Sequence, residues 1–81
     1  LRIEYKASVA KDLRRLDASI RARVIERIQQ QLSDPALVHQ PLNGEYTGLF
    51  KLRVGDYRAI YSRSLDTIVV MRVGHRSEAY R

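Results

Sequence analysis

Leu49-Phe50-Lys51-Leu52-Arg53-Val54-Gly55-Asp56-Tyr57-Arg58-Ala59-Ile60-Tyr61 reads as two strands joined by a two-residue turn. The gap Gly55-Asp56 is short enough for a hairpin. A turn at Gly55-Asp56 sets the register: Val54 faces Tyr57, Arg53 faces Arg58, Leu52 faces Ala59 and Lys51 faces Ile60. Side chains alternate along a strand, so the faces separate. One carries Phe50, Leu52, Val54, Tyr57, Ala59 and Tyr61, an apolar surface suited to lying on helices. The other carries Lys51, Arg53 and Arg58.

A further strand follows at residues 67–73, after the short gap Ser64-Leu65-Asp66, and completes a three-stranded antiparallel meander. On the N-terminal side, residues 35–48 hold both prolines and two of the four glycines, and no period survives there. That segment is expected to be a loop. Before it, Ile20, Val24, Ile28 and Leu32 recur at four-residue intervals, the spacing of one helical face. Asp34-Pro35 closes this helix, since a residue before proline is pushed out of the helical region, and Asp17 is placed to cap its start. Val9, Leu13 and Leu16 predict an earlier helix of about three turns beginning at Ala7. The opening Leu1-Arg2-Ile3-Glu4-Tyr5-Lys6 alternates apolar with charged residues as a half-buried strand does. The expected architecture is α+β: an N-terminal strand, an antiparallel helix hairpin, then the meander, forming one sheet packed on the helices.

Eighty-one residues cannot divide their apolar surface between two independent cores, so residues 1–81 are read as a single domain. A hydrophobic share of 44% is that of a chain that folds. There is no cysteine, which removes disulfides and thiolate metal sites and suits a reducing cytoplasm. The two histidines, His39 and His75, are far apart and lack a ligand-spaced acid, so neither a metal nor another cofactor is expected. No apolar run is long enough to span a membrane and no signal-peptide pattern opens the chain. The expected location is the cytoplasm.

The net charge is +6 and the isoelectric point about 10.2, which points to a polyanionic partner, nucleic acid first. Twelve of the fifteen basic residues are arginine, whose planar fork matches phosphate better than a lysine ammonium does. Lys51, Arg53 and Arg58 share a sheet face on which Arg53 and Arg58 oppose each other with no acid between them. Like charges set across from one another cost stability unless an anion sits on them. The plainer reading is a solvated face of a basic protein, with repulsion weakened by salt. Charge alone leaves both open. The segment Gly74-His75-Arg76-Ser77-Glu78-Ala79-Tyr80-Arg81, beyond the last expected strand, adds an imidazole, two guanidiniums and a phenol. That set can move protons and stabilise a phosphorane. Each member also has a structural reading, as a surface histidine or as a tyrosine packed on a sheet edge.

The run Pro41-Leu42-Asn43-Gly44, then Gly48-Leu49-Phe50-Lys51-Leu52-Arg53-Val54-Gly55-Asp56-Tyr57-Arg58-Ala59-Ile60-Tyr61, then Val70-Met71-Arg72-Val73-Gly74-His75-Arg76-Ser77-Glu78-Ala79-Tyr80 resembles the RelE/ParE superfamily, the toxins of type II toxin–antitoxin pairs, in its RelE-like branch. The order of elements agrees over the full length. The resemblance implies a ribosome-dependent mRNA endoribonuclease that inhibits translation without a metal, the messenger's 2′-hydroxyl attacking its own adjacent phosphate. Lys51 and Arg58 fall on family positions tied to catalysis, Arg53 on a neighbouring basic position, and Arg76 and Tyr80 on the tail residues. His75 matches only the subgroup whose tail reads Gly-His-Arg. Leu49 and Asn43 stand where some relatives carry a lysine and an arginine, so part of the usual basic complement is missing.

Chemistry suggests the roles. Arg53 and Arg58 would hold the scissile phosphate and offset charge on its oxygens. Lys51 would serve as general base, its neutral form favoured by the neighbouring cations. His75 would donate to the leaving 5′-oxygen, imidazole being the side chain that ordinarily changes charge near neutrality. Arg76 and Arg81 would bind phosphate, and Tyr80 would stack on a base or orient the hydroxyl. So sparse a set needs the ribosome to present the messenger in line. Two rivals remain: a ParE-like toxin that disables DNA gyrase by binding, and a plain basic nucleic-acid-binding module. The resemblance also implies a RelB-like antitoxin, partly disordered, through which the pair would bind operator DNA.

Overall fold

The four-residue recurrence of Val24, Ile28 and Leu32 produces a buried stripe on one face of helix α2 (Ala18–Leu32), and Val9 and Leu13 do the same for helix α1 (Ala7–Arg14). The computed structural model describes residues 2–42 and 48–75. Its strands are β1 (Arg2–Tyr5), β2 (Gln40–Pro41), β3 (Leu49–Val54), β4 (Tyr57–Arg63) and β5 (Thr67–His75), arranged in one sheet in the order β1-β5-β4-β3-β2. The helix stripes meet Leu52, Val54, Ala59, Tyr61, Ile68, Val70 and Val73 to form the core. No charged or polar residue is buried among the described residues. The α+β class and the antiparallel meander are as expected from the sequence.

The central hairpin has the expected register: Val54 pairs with Tyr57, Arg53 with Arg58, Leu52 with Ala59 and Lys51 with Ile60. Gly55 has φ +61°, and among the described residues only Gly48 shares a positive φ. A positive φ at the first turn position and not at the second is the type II′ pattern, whose twist matches that of the flanking strands.

The structure corrects the sequence reading in five places. The segment 35–48, expected to be a loop, contains the two-residue strand β2, whose Gln40 and Pro41 pair with Lys51 and Phe50. Two residues are too few to show a period. Proline is tolerated because β2 is an edge strand, where a missing N–H leaves no neighbour unsatisfied. Helix α1 has eight residues, nearer two turns than three. The Arg15 and Leu16 N–H groups donate to the carbonyls of Asp12 and Leu13, three residues back, which tightens and ends the helix. Asp17 occupies the N-cap position of α2, but its side chain makes no capping bond. Its backbone carbonyl instead accepts the Arg21 N–H at 2.8 Å.

The fourth correction is at the end of β5, which runs to His75 rather than stopping at residue 73. Because β4 begins at Tyr57, the ladder continues until Arg58 has met Gly74 and Tyr57 has met His75. The fifth is a bulge. Ile60 pairs with Arg72 and Tyr61 with Val70, which leaves Met71 without a partner on β4. An extra residue reverses the alternation beyond it. Ile68, Val70 and then Val73 face the core, whereas strict alternation would have driven Arg72 into it.

The first strand adds to the sheet in parallel, with Arg2–Tyr5 alongside Thr67, Ile68, Val69 and Val70. Where β1 gives way to α1, the helix supplies the partners that the open edge of β5 would lack. Ser8 Oγ donates to the Met71 carbonyl at 2.6 Å. The Val73 N–H donates to Asp12 Oδ2 at 2.9 Å.

Candidate nucleic-acid interface

Lys51, Arg53 and Arg58 occupy the face of β3–β4 that points away from the helices. They line a shallow depression of about 260 Å³ together with Gln40 and Leu52. The site is built by alternation: Leu52, Val54 and Ala59 are buried, which sends the residues between them outward. Arg53 stands directly opposite Arg58, an arrangement that costs ~0.2–1 kcal/mol in a bare sheet. The Arg53 Nε–H reaches the Gly55 carbonyl at a long 3.4 Å, so its guanidinium leans along the hairpin toward the turn. Among the described residues lining the depression, none is acidic. Its volume is smaller than the roughly 300–1,000 Å³ of an enclosed small-molecule pocket. The surface therefore suits a chain-like anion laid across it better than a ligand swallowed whole.

His75 is not part of this cluster. Its ring packs edge-on against Tyr57, with centroids 5.8 Å apart, in a separate depression bounded by Asp12, Arg15, Leu16, Arg72, Val73 and Gly74. That is the α1 side of the sheet. The convergence expected from the sequence therefore holds for the three hairpin cations and not for the imidazole. The Met71 bulge is the cause, since it places His75 in phase with Val73 and Tyr57. Arg76, Tyr80 and Arg81, the remaining expected site residues, lie outside the described residues.

Three neighbouring features were not legible in the sequence. Gln40 joins the basic depression through β2. Behind it, His39 Nδ1 lies 2.7 Å from Tyr61 Oη, and both rings contact Phe50. Tyr61 is wholly buried. Burial, seconded by the charge of Arg63, holds the His39 imidazolium pKa below its ordinary value, and burial raises that of the Tyr61 phenol. A neutral His39 accepting the phenolic hydrogen fits both shifts. The third feature is the pairing of Asp12 with Arg72, at 3.0 Å through Nε, which no local pattern could announce across sixty residues. Among the described residues, no group of three His, Cys, Asp or Glu side chains could hold a metal ion.

Together the fold and the site define a small α+β domain with three basic side chains gathered on one sheet face. Residues 3–80 match the family model described as the ParE toxin of type II toxin–antitoxin systems, and the chain belongs to this family of toxins. It is 35% identical to Toxin RelG of Mycobacterium tuberculosis, over 98% of this chain and 94% of that one. It is 32% identical to Toxin RelE3 of Methanocaldococcus jannaschii, over 99% and 96%. The fold superimposes on a chain of the toxin–antitoxin complex RelBE2 from Mycobacterium tuberculosis with a TM-score of 0.82 and 34% identity, covering 95% of this chain and 92% of the other. The protein is thus a RelE-like toxin of a type II toxin–antitoxin system.

Proposed function

We propose that this toxin is an endoribonuclease that cuts messenger RNA on the ribosome and so halts translation in the cytoplasm. The observation that carries the reading is the cluster of Lys51, Arg53 and Arg58 on one exposed sheet face, with no acidic residue among the described lining. In this mechanism Arg53 and Arg58 hold the scissile phosphate and offset the charge that grows on its non-bridging oxygens. Lys51, on the same face, removes the proton of the 2′-hydroxyl. That oxygen attacks the adjacent phosphorus, a 2′,3′-cyclic phosphate forms, and the bond to the 5′-oxygen breaks. The departing 5′-oxygen takes a proton from water, and the hydroxide left behind takes the one Lys51 acquired, which restores the amine. The tail residues Arg76, Tyr80 and Arg81 keep the roles of phosphate contact and base stacking. His75, on the other side of the sheet, serves as the proton donor only if the messenger turns around the Tyr57–His75 end of the hairpin. A shallow site with three cations does little to orient its substrate, so the ribosome supplies the in-line geometry.

The full-length relatives carry the names RelG and RelE3, which favours this reading over its rival. The rival rests on the description of the family model, ParE toxin, and is inhibition of DNA gyrase by binding. A translation-coupled cleavage assay separates them. Codon-registered cuts that need translating ribosomes, and that vanish in Arg58→Ala while the fold persists, are the expected result. Absence of cuts together with loss of gyrase supercoiling would overturn it. Solved relatives include antitoxin–toxin complexes, and the partner proposed here is likewise an antitoxin. Its acidic, partly disordered segment would cover the basic face, and the pair would bind operator DNA through the antitoxin.

A further inference from the structure

Every phosphate of an RNA looks alike to Lys51, Arg53 and Arg58, so these residues can hold the backbone but cannot read it. The depression they line has one uncharged polar member, Gln40, which stands directly opposite Lys51 in the β2–β3 pair. A carboxamide adds no charge to a cationic phosphate site. What it offers is a donor and an acceptor side by side, the pattern that matches the edge of a base and in particular of adenine. A reading residue also has to be held still. On one side of Gln40 the backbone is tied down by His39, whose Nδ1 is 2.7 Å from the buried Tyr61 hydroxyl and whose ring packs edge-on against Phe50 and Tyr61. On the other side the Leu42 N–H donates to the Leu49 carbonyl at 2.9 Å. Gln40 itself is exposed, and so open to a ligand.

We propose that Gln40 is a specificity-determining residue: its carboxamide hydrogen-bonds the base next to the phosphate held by Lys51, Arg53 and Arg58, and favours adenine there. This rests on the reading of the basic face as an RNA site, but not on the cleavage step. The test is direct binding of the full chain to short oligoadenylate, oligocytidylate and oligouridylate RNAs, beside the ribosome-coupled cleavage profile. The wild type is expected to bind oligoadenylate most tightly. Gln40→Ala should weaken oligoadenylate about tenfold more than oligouridylate, the loss set by one paired base contact. Gln40→Leu, which keeps the bulk of the side chain and so the packing of β2, should do the same. Arg58→Ala should weaken all three alike. The proposal is overturned if the wild type shows no base preference, or if both Gln40 variants keep the wild-type ranking or lower every RNA equally. If the wild type prefers oligoadenylate but cuts no messenger on ribosomes, the nuclease reading fails and the role of Gln40 is still decided by the binding series.

Discussion

Asp12 and Arg72 are joined at two points, Nε to Oδ2 and Nη2 to Oδ1, each at 3.0 Å. The same carboxylate accepts the Val73 N–H. The Asp12 side chain is only 9% exposed, whereas that of Arg72 is 50% exposed. The pair is bidentate, but its guanidinium stands half in solvent, so screening discounts its contribution. The larger effect of losing Asp12 is a strand-edge N–H left without an acceptor. Asp12→Ala is expected to cost about 1–2 kcal/mol, a fall in Tm of roughly 5–10 °C for a domain of this size. Arg72→Ala should cost less than half as much in the same thermal melt. Equal losses would mean that the ion pair, and not the edge, is what matters.

Asp12 also predicts acid sensitivity. Burial pushes its carboxyl pKa up, but the Arg72 hydrogen bond, the Val73 N–H and the charges of Arg72 and Arg15 outweigh this and hold it below the ordinary carboxylate value. Stability from a depressed carboxylate is present above the unfolded pKa, about 4, and is lost as pH falls through the folded one. Urea midpoints measured down to about pH 3 should fall more steeply for the wild type than for Asp12→Asn.

His39 should act at milder pH. Its folded pKa lies below the ordinary histidine value, so the unfolded chain takes up the proton first. The stability contributed by neutral His39 is complete above about pH 6.5 and is lost as pH falls toward the folded value. The wild type should therefore lose stability between about pH 7 and pH 5. His39→Gln, which keeps an acceptor for Tyr61 but cannot titrate, should lose less over that interval. Parallel pH dependences for the two proteins would count against His39 as the titrating group.

Binding to single-stranded RNA should weaken with salt, because each cation engaging a phosphate releases condensed counterions. Removing Lys51, Arg53 or Arg58 singly as alanine should reduce the slope of log affinity against log salt by about 0.7 each. His75→Gln, on the other side of the sheet, should leave the slope closer to that of the wild type than any of the three. A fluorescence anisotropy titration over a range of salt concentrations reads the difference.

Gly55→Ala should strain the β3–β4 hairpin, because φ there is +61° although nothing lies within 4 Å of an added methyl. The expected cost is about 1–2 kcal/mol, from backbone conformation and not from a clash, measured as a shift in urea midpoint.

The hairpin register and the outward placement of Lys51, Arg53 and Arg58 were readable in the sequence because they depend on local chemistry: a Gly-Asp turn and strict alternation on either side of it. The helix stripes were readable for the same reason, since Val24, Ile28 and Leu32 repeat within one element. Long-range pairing was not. Strand β2 exists only because Leu49–Val54 is there to pair with it, and the two-residue Gln40–Pro41 run carries no pattern of its own. The face of β5 on which His75 lies was decided by Met71, whose bulge carries no signature in a run of apolar residues and appears only once β4 and β5 are paired. One residue unpaired with β4 moved the imidazole to the side of the sheet away from the basic face. Periodicity belongs to the chain, but register across a sheet is settled by the best fit of two strands and a core, which no single stretch of sequence contains.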